Sequence, residues 1–359
     1  MTPGSAAATG PADAAHGAVA AGVQANCDLA DALHARDKSL CTYLLGMREY
    51  FRWAAQLPLG AVPDRARLSA WIAQREREWD ALHERSNAAY GQLPLAGGID
   101  PFDEDAVNRE LQTGGFVYGA GIGLFGAPMF FLAQRESEQL RDGIRVIVAG
   151  AEVARGVTAA PATSRGGTIT IRTDALRRWL WTRAEAARRG SNDTAFARAL
   201  RAYDTDADAA AAVECMARGE TETLVLHELG ELRAGELLGA EWEEMLLAAG
   251  DRRTEVVLRA VRDLFADCLV TLPTLAARRA IPSLLFWIAN FDGMRRALAP
   301  ELAEPFRADT DRLDLAALET VATHGRKLWG DRTHDLLSVW RRGGAKALRN
   351  ETDRLATSH

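Results

Sequence analysis

The chain has 359 residues, of which 48% are hydrophobic, and a formal net charge of -6 at pH 7. This length is typical of two subdomains, and the charge, with both signs spread along the chain, does not indicate a nucleic-acid or membrane partner. Four cysteines without CxxC spacing are typical of a reducing compartment. Because no stretch is apolar enough to span a membrane, the sequence predicts a soluble, cytoplasmic protein.

The composition along the chain predicts three regions. Residues 1–22 are mostly Ala, Gly and Pro, which favours a disordered tail. Residues 23–205 are predicted as an N-terminal helical subdomain with a β insertion at about 114–172, and residues 206–359 as a helical metal-binding subdomain. The predicted fold class is therefore mainly α, with a small antiparallel β insertion and a helical bundle in the C-terminal half.

The first predicted helix, from residue 23 to 37, places Cys27, Asp31 and His34 on one face. Thiolate, carboxylate and imidazole are all metal ligands, so these three residues are a candidate second metal site. A lone cysteine is more often a small buried hydrophobic residue, and Asp and His are common on solvated helix faces. The sequence leaves this question open.

The next helix begins after Ser39, a predicted N-cap, and carries Arg48 and Arg52 one turn apart among many aromatic residues. Two arginines in partly buried positions need anionic partners. An ion-pair lattice between helices is one interpretation. The alternative is that Arg48 and Arg52 bind an acidic substrate.

Between residues 114 and 172, glycines separate short runs rich in β-branched and aromatic residues, which predicts a small antiparallel sheet. The segment GAGIGLFG has the spacing of a phosphate-binding GxGxxG loop. No strand-to-helix transition follows it, so hairpin glycines are favoured over a dinucleotide site.

The main candidate site lies in LVLHELGELRAGELLG, residues 224–239. His227 and Glu231 are one helical turn apart, and Glu228 lies beside Glu231. A second helix, residues 252–272, carries Asp263 and Asp267 in an otherwise apolar run, where carboxylates need partners. If the two helices pack antiparallel, these five side chains converge, as ligands do in helix-bundle metal sites.

One imidazole with several carboxylates suits Fe(II) or Mn(II) better than structural zinc. The sequence therefore predicts a metal-dependent enzyme, foremost a non-haem iron or manganese oxidoreductase acting on a small molecule. Its predicted ligands are His227, Glu231, Asp267 and Asp263, and Glu228 is the predicted catalytic base. Substrate, nuclearity and oligomeric state stay open.

HELGE also resembles the HExxH helix of zinc metallopeptidases, with Glu231 in place of the second histidine. The resemblance implies a hydrolase with His227 and Glu231 as zinc ligands and Glu228 as general base. A third interpretation is a non-catalytic protein that binds metal or a partner. A fourth has no metal at all, with Glu228 and Glu231 pairing with Arg233 or its neighbours on a polar surface.

Four segments together resemble a family of uncharacterised bacterial proteins with an N-terminal and a C-terminal domain of unknown function: CTYLLGMREYFRW (41–53), LHELGELRAGELLG (226–239), ADCLVTLP (266–273) and SLLFWIANFDGMRR (283–296). The resemblance spans most of residues 23–300. It implies no activity, and it covers neither His34 nor the N-terminal tail.

Overall fold

The computed structural model describes residues 11–85, 89–123, 126–189, 194–203, 208–306 and 313–357. The chain forms two compact units. Unit 1 contains Met1–Glu138, Ile147–Pro161 and Arg172–Arg178, and unit 2 contains Gln139–Val146, Ala162–Ile171 and Trp179–His359. This division does not coincide with the boundary predicted at residue 205.

The protein is mainly α-helical, as predicted. In chain order the helices are α1 (Pro11–His34), α2 (Leu40–Ala54), α3 (Arg65–His83), α4 (Glu104–Leu111), α5 (Thr173–Arg189), α6 (Ala195–Arg201), α7 (Ala209–Leu238), α8 (Ala240–Leu247), α9 (Arg252–Ala266), α10 (Leu272–Ala277), α11 (Ile281–Ala289), α12 (Gly293–Leu298) and α13 (Leu315–Thr357). Side-chain caps explain several helix starts. Ser39, Asp64 and Asp208 each accept a hydrogen bond from the amide three residues later, which satisfies a donor of the first turn.

Helix α1 begins at Pro11, so the disordered tail predicted through residue 22 is wrong from that point, and residues 1–10 lie outside the described residues. Val19, Val23 and Cys27 recur one turn apart and are buried in the core of unit 1. Alanine has the highest helix propensity, and the prediction took this Ala-rich composition as a sign of disorder.

The predicted β insertion is confirmed. Its strands are β1 (Phe116–Ile122), β2 (Pro128–Arg141), β3 (Ile144–Arg155), β4 (Ala162–Arg165) and β5 (Thr168–Arg172), in the sheet order β1-β2-β3-β5-β4. The pairs β1/β2 and β4/β5 are antiparallel. Gly119, the first residue of GAGIGLFG, pairs with Phe131, whose ring occupies the space that a Cβ would need. That glycine therefore accommodates a cross-strand aromatic ring within a hairpin.

From Thr173 to Thr357 the described residues contain helices and no strand. The core of unit 2 is formed largely by α7 to α13 and includes the fully buried Trp242, Leu264 and Leu336. None of the described helices has both the length and the apolar character needed to cross a membrane.

The three residues of the candidate second metal site each have a different partner. Cys27 Sγ donates to the Phe130 carbonyl oxygen at 3.2 Å, and Asp31 Oδ2 accepts from the Val157 amide at 2.9 Å. His34 lies 3.8 Å from Asp37 on the far side of the helix end. Cys27 and Asp31 therefore tie α1 to the strand region of unit 1.

Asp31 should make the protein less stable as pH rises. Burial raises the pKa of this carboxyl from an ordinary value of 3.8 to about 7. Between these two values the folded state binds more protons than the unfolded state, so the free energy of unfolding falls with increasing pH. An Asp31→Asn variant lacks this titration. Relative to wild type it should gain on the order of 3 kcal/mol between pH 4 and pH 8, measured by urea unfolding at both values.

The control for this comparison is Asp80→Asn, which removes an exposed carboxylate of unit 1 paired with Arg36. Its difference from wild type should stay nearly constant over the same pH range. An Asp31→Asn variant whose difference from wild type is equally constant would contradict the assignment.

Candidate functional site

Helices α7 and α9 run antiparallel and bring the predicted residues together within unit 2. Glu231 on α7 lies against Arg262 on α9, and one turn earlier on α7 His227 lies against Asp267, just beyond α9. The predicted antiparallel packing is therefore present. All five predicted site residues on these two segments, His227, Glu228, Glu231, Asp263 and Asp267, belong to one cluster, which we call the His227 cluster.

A π-helical segment, Asp267–Thr271, follows α9 directly, and Asp267 is its first residue. Such segments widen the helix by one residue per turn and redirect side chains. The segment fits closely because its neighbours are small. A Cβ on Gly230 would lie 2.7 Å from the Ala266 carbonyl oxygen, and one on Gly325 would lie 2.6 Å from Cys268 Sγ. Gly230 thus permits the close approach that brings Asp267 to His227.

The imidazole of His227 has a carboxylate on each ring nitrogen. Nδ1 lies 2.9 Å from Asp267 Oδ1, and Nε2 lies 3.2 Å from Glu231 Oε1. Two arginines hold the outer oxygens of these carboxylates. Arg262 Nη2 lies 2.5 Å from Glu231 Oε2, and Arg295 Nη1 lies 3.1 Å from Asp267 Oδ2. The result is an alternating row of positive and negative groups.

The carboxylates keep His227 protonated. Burial lowers the pKa of the imidazole, but the charge of Asp267 and the hydrogen bonds to Asp267 and Glu231 outweigh burial and raise it well above 6.5. Conversely, burial raises the pKa of Asp267, but His227 and Arg295 bring it below its ordinary value. His227 and Asp267 therefore form an imidazolium–carboxylate pair at neutral pH.

The three remaining carboxyls differ strongly in pKa although they are close neighbours. Burial raises the pKa of Glu231, but Arg262 and His227 outweigh it and lower the value to about 2. Burial and then the charge of Glu231 raise the pKa of Glu228 to about 7 and that of Asp263 to about 6. Glu231 is thus a permanent anion, whereas Glu228 and Asp263 change charge near neutrality.

The cluster is partly exposed. The side chains of His227, Glu231 and Asp263 keep 24%, 17% and 23% of their surface exposed, whereas Asp267 is fully buried. Glu228 is also buried, and Ser164 of β4 acts as its hydrogen-bond partner. Among the two carboxyls that titrate near neutrality, Asp263 is therefore the one that a solute can reach.

Sequence reasoning missed the two arginines of the cluster. Arg262 is adjacent to Asp263 in the sequence, and an arginine beside a buried carboxylate was a usable signal. Arg295 lies in ANFDGMRR, which reads as a helix end and turn, and it also donates to the Asn290 carbonyl oxygen at 2.7 Å. Nothing in the sequence links it to a residue 28 positions away.

The metal prediction stays a prediction. Asp267 and Glu231 contact different nitrogens of His227, so the two carboxylates lie on opposite edges of the ring. Over the described ranges, no three His, Cys, Asp or Glu side chains are arranged so that they could hold a metal ion. Arg233, the predicted surface partner of the glutamates, pairs with Glu236 instead.

Arg48 and Arg52 belong to unit 1, where both contact Glu49. Arg48 Nε donates to Glu49 Oε1 at 3.1 Å, and Arg52 Nη1 donates to the same oxygen at 2.8 Å. Arg52 is buried. These contacts match the ion-pair interpretation, although the shared carboxylate lies on the same helix and not on another one.

Two family models match nearly the whole chain. Residues 18–172 match the N-terminal domain, and residues 177–358 the C-terminal domain, of a family of unknown function, DUF6866. No curated protein and no solved structure matches the chain.

The contact between Gly230 and Ala266 gives a direct test of the helix packing. A Gly230→Ala variant forces α7 away from α9, and we expect it to lower the free energy of unfolding by about 1–3 kcal/mol, as overpacked sites do. Urea unfolding followed by circular dichroism measures this change.

Gly235→Ala is the matched control on the same helix, because a Cβ there meets no atom within 4 Å. The helix propensity of alanine should stabilise this control by up to about 1 kcal/mol. Equal stability of the two variants would show that α7 and α9 are not in close contact at Gly230.

Proposed function

Because the chain belongs to the DUF6866 family, whose domains have no assigned function, we propose a function from the His227 cluster alone: an enzyme that acts on a small molecule by general acid–base catalysis. The observation that carries this proposal is the geometry of the cluster, in which a carboxylate contacts each ring nitrogen of His227 and Arg262 lies beside both Glu231 and Asp263; the pKa values of the carboxyls differ accordingly. Three neighbouring carboxyls surround the imidazolium, and their pKa values are about 2 for Glu231, about 6 for Asp263 and about 7 for Glu228. Environments that push the pKa values of neighbouring groups apart are characteristic of catalytic acids and bases.

In this proposal Asp263 transfers the proton, because its pKa lies near the working pH and its side chain reaches the accessible side. Glu231 stays ionised, and its negative charge adds to the effect of burial in raising the pKa of Asp263. His227, held by Asp267 and Glu231, supplies a positive charge within the cluster that stabilises negative charge developing on the substrate. Glu228, the base predicted from the sequence, is a buried carboxyl.

Isotope incorporation tests the proposal across several classes of candidate substrate at once. Mixtures of small carbonyl compounds, hydroxy acids and esters are incubated with the protein in D₂O enriched in ¹⁸O and analysed by mass spectrometry. Proton abstraction adds deuterium to a substrate, and hydrolysis adds ¹⁸O. We expect one class of compound to gain mass, and Asp263→Asn to reduce the rate by about 10²–10⁴-fold, as loss of a general acid or base does.

The matched control is Asp353→Asn, which removes a half-exposed aspartate paired with Arg253 and should keep the wild-type rate. An Asp263→Asn variant with the wild-type rate would reject the assigned role. Absence of labelling across all compound classes with the wild-type protein would reject the proposed enzyme.

A second candidate function is a metal-dependent enzyme, and one observation favours it. The Nδ1 of His227 is held by a fully buried carboxylate, which is the arrangement that orients metal-binding imidazoles. Nε2 then faces Glu231, and Asp263 Oδ1 is buried with no hydrogen-bond partner among the described residues. These three groups are not arranged to hold a metal ion as they stand. After a rearrangement they would be the ligands, and Asp267 would orient the ring.

Metal binding at this position requires Arg262 to leave Glu231, because the two are in direct contact. The donor set favours Fe(II) or Mn(II), with which the protein would be an oxidoreductase, and zinc would instead favour the hydrolase. The acid–base proposal needs no such rearrangement, and we rank it first for that reason.

Elemental analysis of protein purified without chelator distinguishes these candidates. The metal candidate predicts one equivalent of iron, manganese or zinc, which His227→Gln and Glu231→Gln each remove while Glu236→Gln, an exposed residue on the same helix, retains it. A wild-type protein without metal, also after incubation with each ion, would reject this candidate and leave the acid–base proposal standing.

A further inference from the structure

The polar face of α7 continues beyond the His227 cluster into the interior of unit 2. One turn before His227 lies Thr223, which is 4% exposed, and one turn before that lies Glu220, which is 0% exposed. A helix of a protein core normally buries apolar residues on such a face. Two consecutive turns of buried polar residues therefore need partners on the facing elements.

The antiparallel packing sets Thr271 across from Thr223. Glu231 of α7 contacts Asp263 of α9. His227, four residues earlier on α7, contacts Asp267, four residues after Asp263. Extending this register by four residues in each direction brings Thr223 to the level of Thr271, the last residue of the π-helical segment, which packs against α7. The Thr271 hydroxyl is buried without a hydrogen-bond partner among the described residues, and the buried Thr223 hydroxyl interacts with the carboxyl of Glu220. The register therefore places two buried hydroxyls in one layer, one helical turn from His227 along α7.

Below this layer, Glu220 is surrounded by hydroxyl groups. The Tyr203 hydroxyl donates to Glu220 Oε1, and the side chains of Ser283 and Thr223 also act on the carboxyl. Burial raises the pKa of Glu220, and hydroxyls are the groups that oppose this effect. The other carboxyl oxygen, Oε2, is buried without a partner among the described residues. Glu220 therefore has one oxygen bonded to a hydroxyl and one oxygen without a partner among the described residues, and a carboxyl group accepts a proton as the carboxylate and donates it as the acid.

Helix α11 forms the third wall of the same space. Its Ser283 interacts with Glu220 and Tyr203, and one turn later its Trp287 interacts with Asp267. The two ends of the polar face are therefore joined along α11 as well as along α7. From Glu220 to His227 the distance along α7 is about 10 Å, at 1.5 Å per residue over seven residues.

We propose that Tyr203, Glu220, Thr223 and Thr271 form a buried proton path that connects the half-buried Tyr203 to the Nδ1 side of His227. Oxygen atoms of the path that are more than one hydrogen bond apart are bridged by ordered water, as buried polar groups commonly are. Each oxygen accepts a proton on one side and releases a proton on the other. One proton therefore moves along the path, no covalent bond other than O–H and N–H changes, and no oxidant or reductant is needed.

This inference goes beyond the proposed function and does not depend on it, because it concerns the Nδ1 side of the ring and not the exposed side. The Nδ1 proton of His227 faces the fully buried Asp267. Its exchange with solvent is expected to follow the path, whereas the Nε2 proton faces Glu231, which is partly exposed.

Exchange of this proton tests the path in the full-length protein without substrate or metal. Protein labelled with ¹⁵N-histidine shows the imidazole N–H signals by NMR, and His227→Gln identifies those of His227. We expect Thr223→Val and Thr271→Val to slow exchange of the Nδ1 proton at least about tenfold, the effect of one lost hydrogen bond in the path. Valine matches threonine in size, so packing is preserved. Glu220→Gln should slow exchange similarly.

Thr221→Val is the matched control, because the Thr221 hydroxyl bonds to the Ala217 carbonyl oxygen of its own helix. It should leave the exchange rate unchanged. Wild-type exchange in both Thr223→Val and Thr271→Val would overturn the proposal. Equal slowing by Thr221→Val would also overturn it, because exchange would then report opening of α7. Slow exchange in the path variants together with a failed labelling screen would retain the path and reject only the proposed catalysis.

Discussion

The contact between His227 and the fully buried Asp267 is the interaction on which the rest of the site depends. A buried carboxylate without a cationic partner is unstable in a protein interior, and here the imidazolium and Arg295 supply that partner. The pair requires α7 and the end of α9 to be unusually close, which Gly230 permits. Once the pair is formed, the position of Nε2 and therefore of Glu231 is fixed. Burial, and then the charge of Glu231, raise the pKa values of Glu228 and Asp263.

A second buried ion network, in unit 1, shows by contrast what is particular to the His227 cluster. Glu152 lies between Arg155 and Arg172, at 3.1 Å and 2.6 Å. Burial raises its pKa, but the two arginines outweigh burial and hold the pKa below its ordinary value. One carboxylate with two guanidinium groups has no proton to exchange near neutrality, so this network ties strands together. The His227 cluster has more carboxyls than cations. The excess negative charge must therefore be neutralised by protonation of a carboxyl or by a bound cation.

The excess of carboxyls over cations in the His227 cluster links the proposed acid–base catalysis to the proposed proton path. A site that changes protonation near neutrality must exchange protons with solvent, and Asp267 blocks the inner side of the imidazole from direct access. The layer of Thr223 and Thr271 offers a route on that side, and Glu220 with Tyr203 continues it towards the surface. Hydroxyls suit this position because they donate and accept without carrying charge, so their burial costs less than that of further ions.

The sequence by itself determined the helices, the small antiparallel sheet and the five polar residues that meet in unit 2. Spacing decides these features, because residues four apart share a helix face and alternating β-branched runs form strands. Only the tertiary structure decided their chemistry. The π-helical turn at Asp267 has no signature in DCLVT, and the partners Arg262 and Arg295 depend on which side chains packing brings together. The pKa values depend on burial and on neighbouring charges, which are properties of packed elements. Helix α1 likewise packs Val19 and Val23 into a core, and composition alone does not reveal that core.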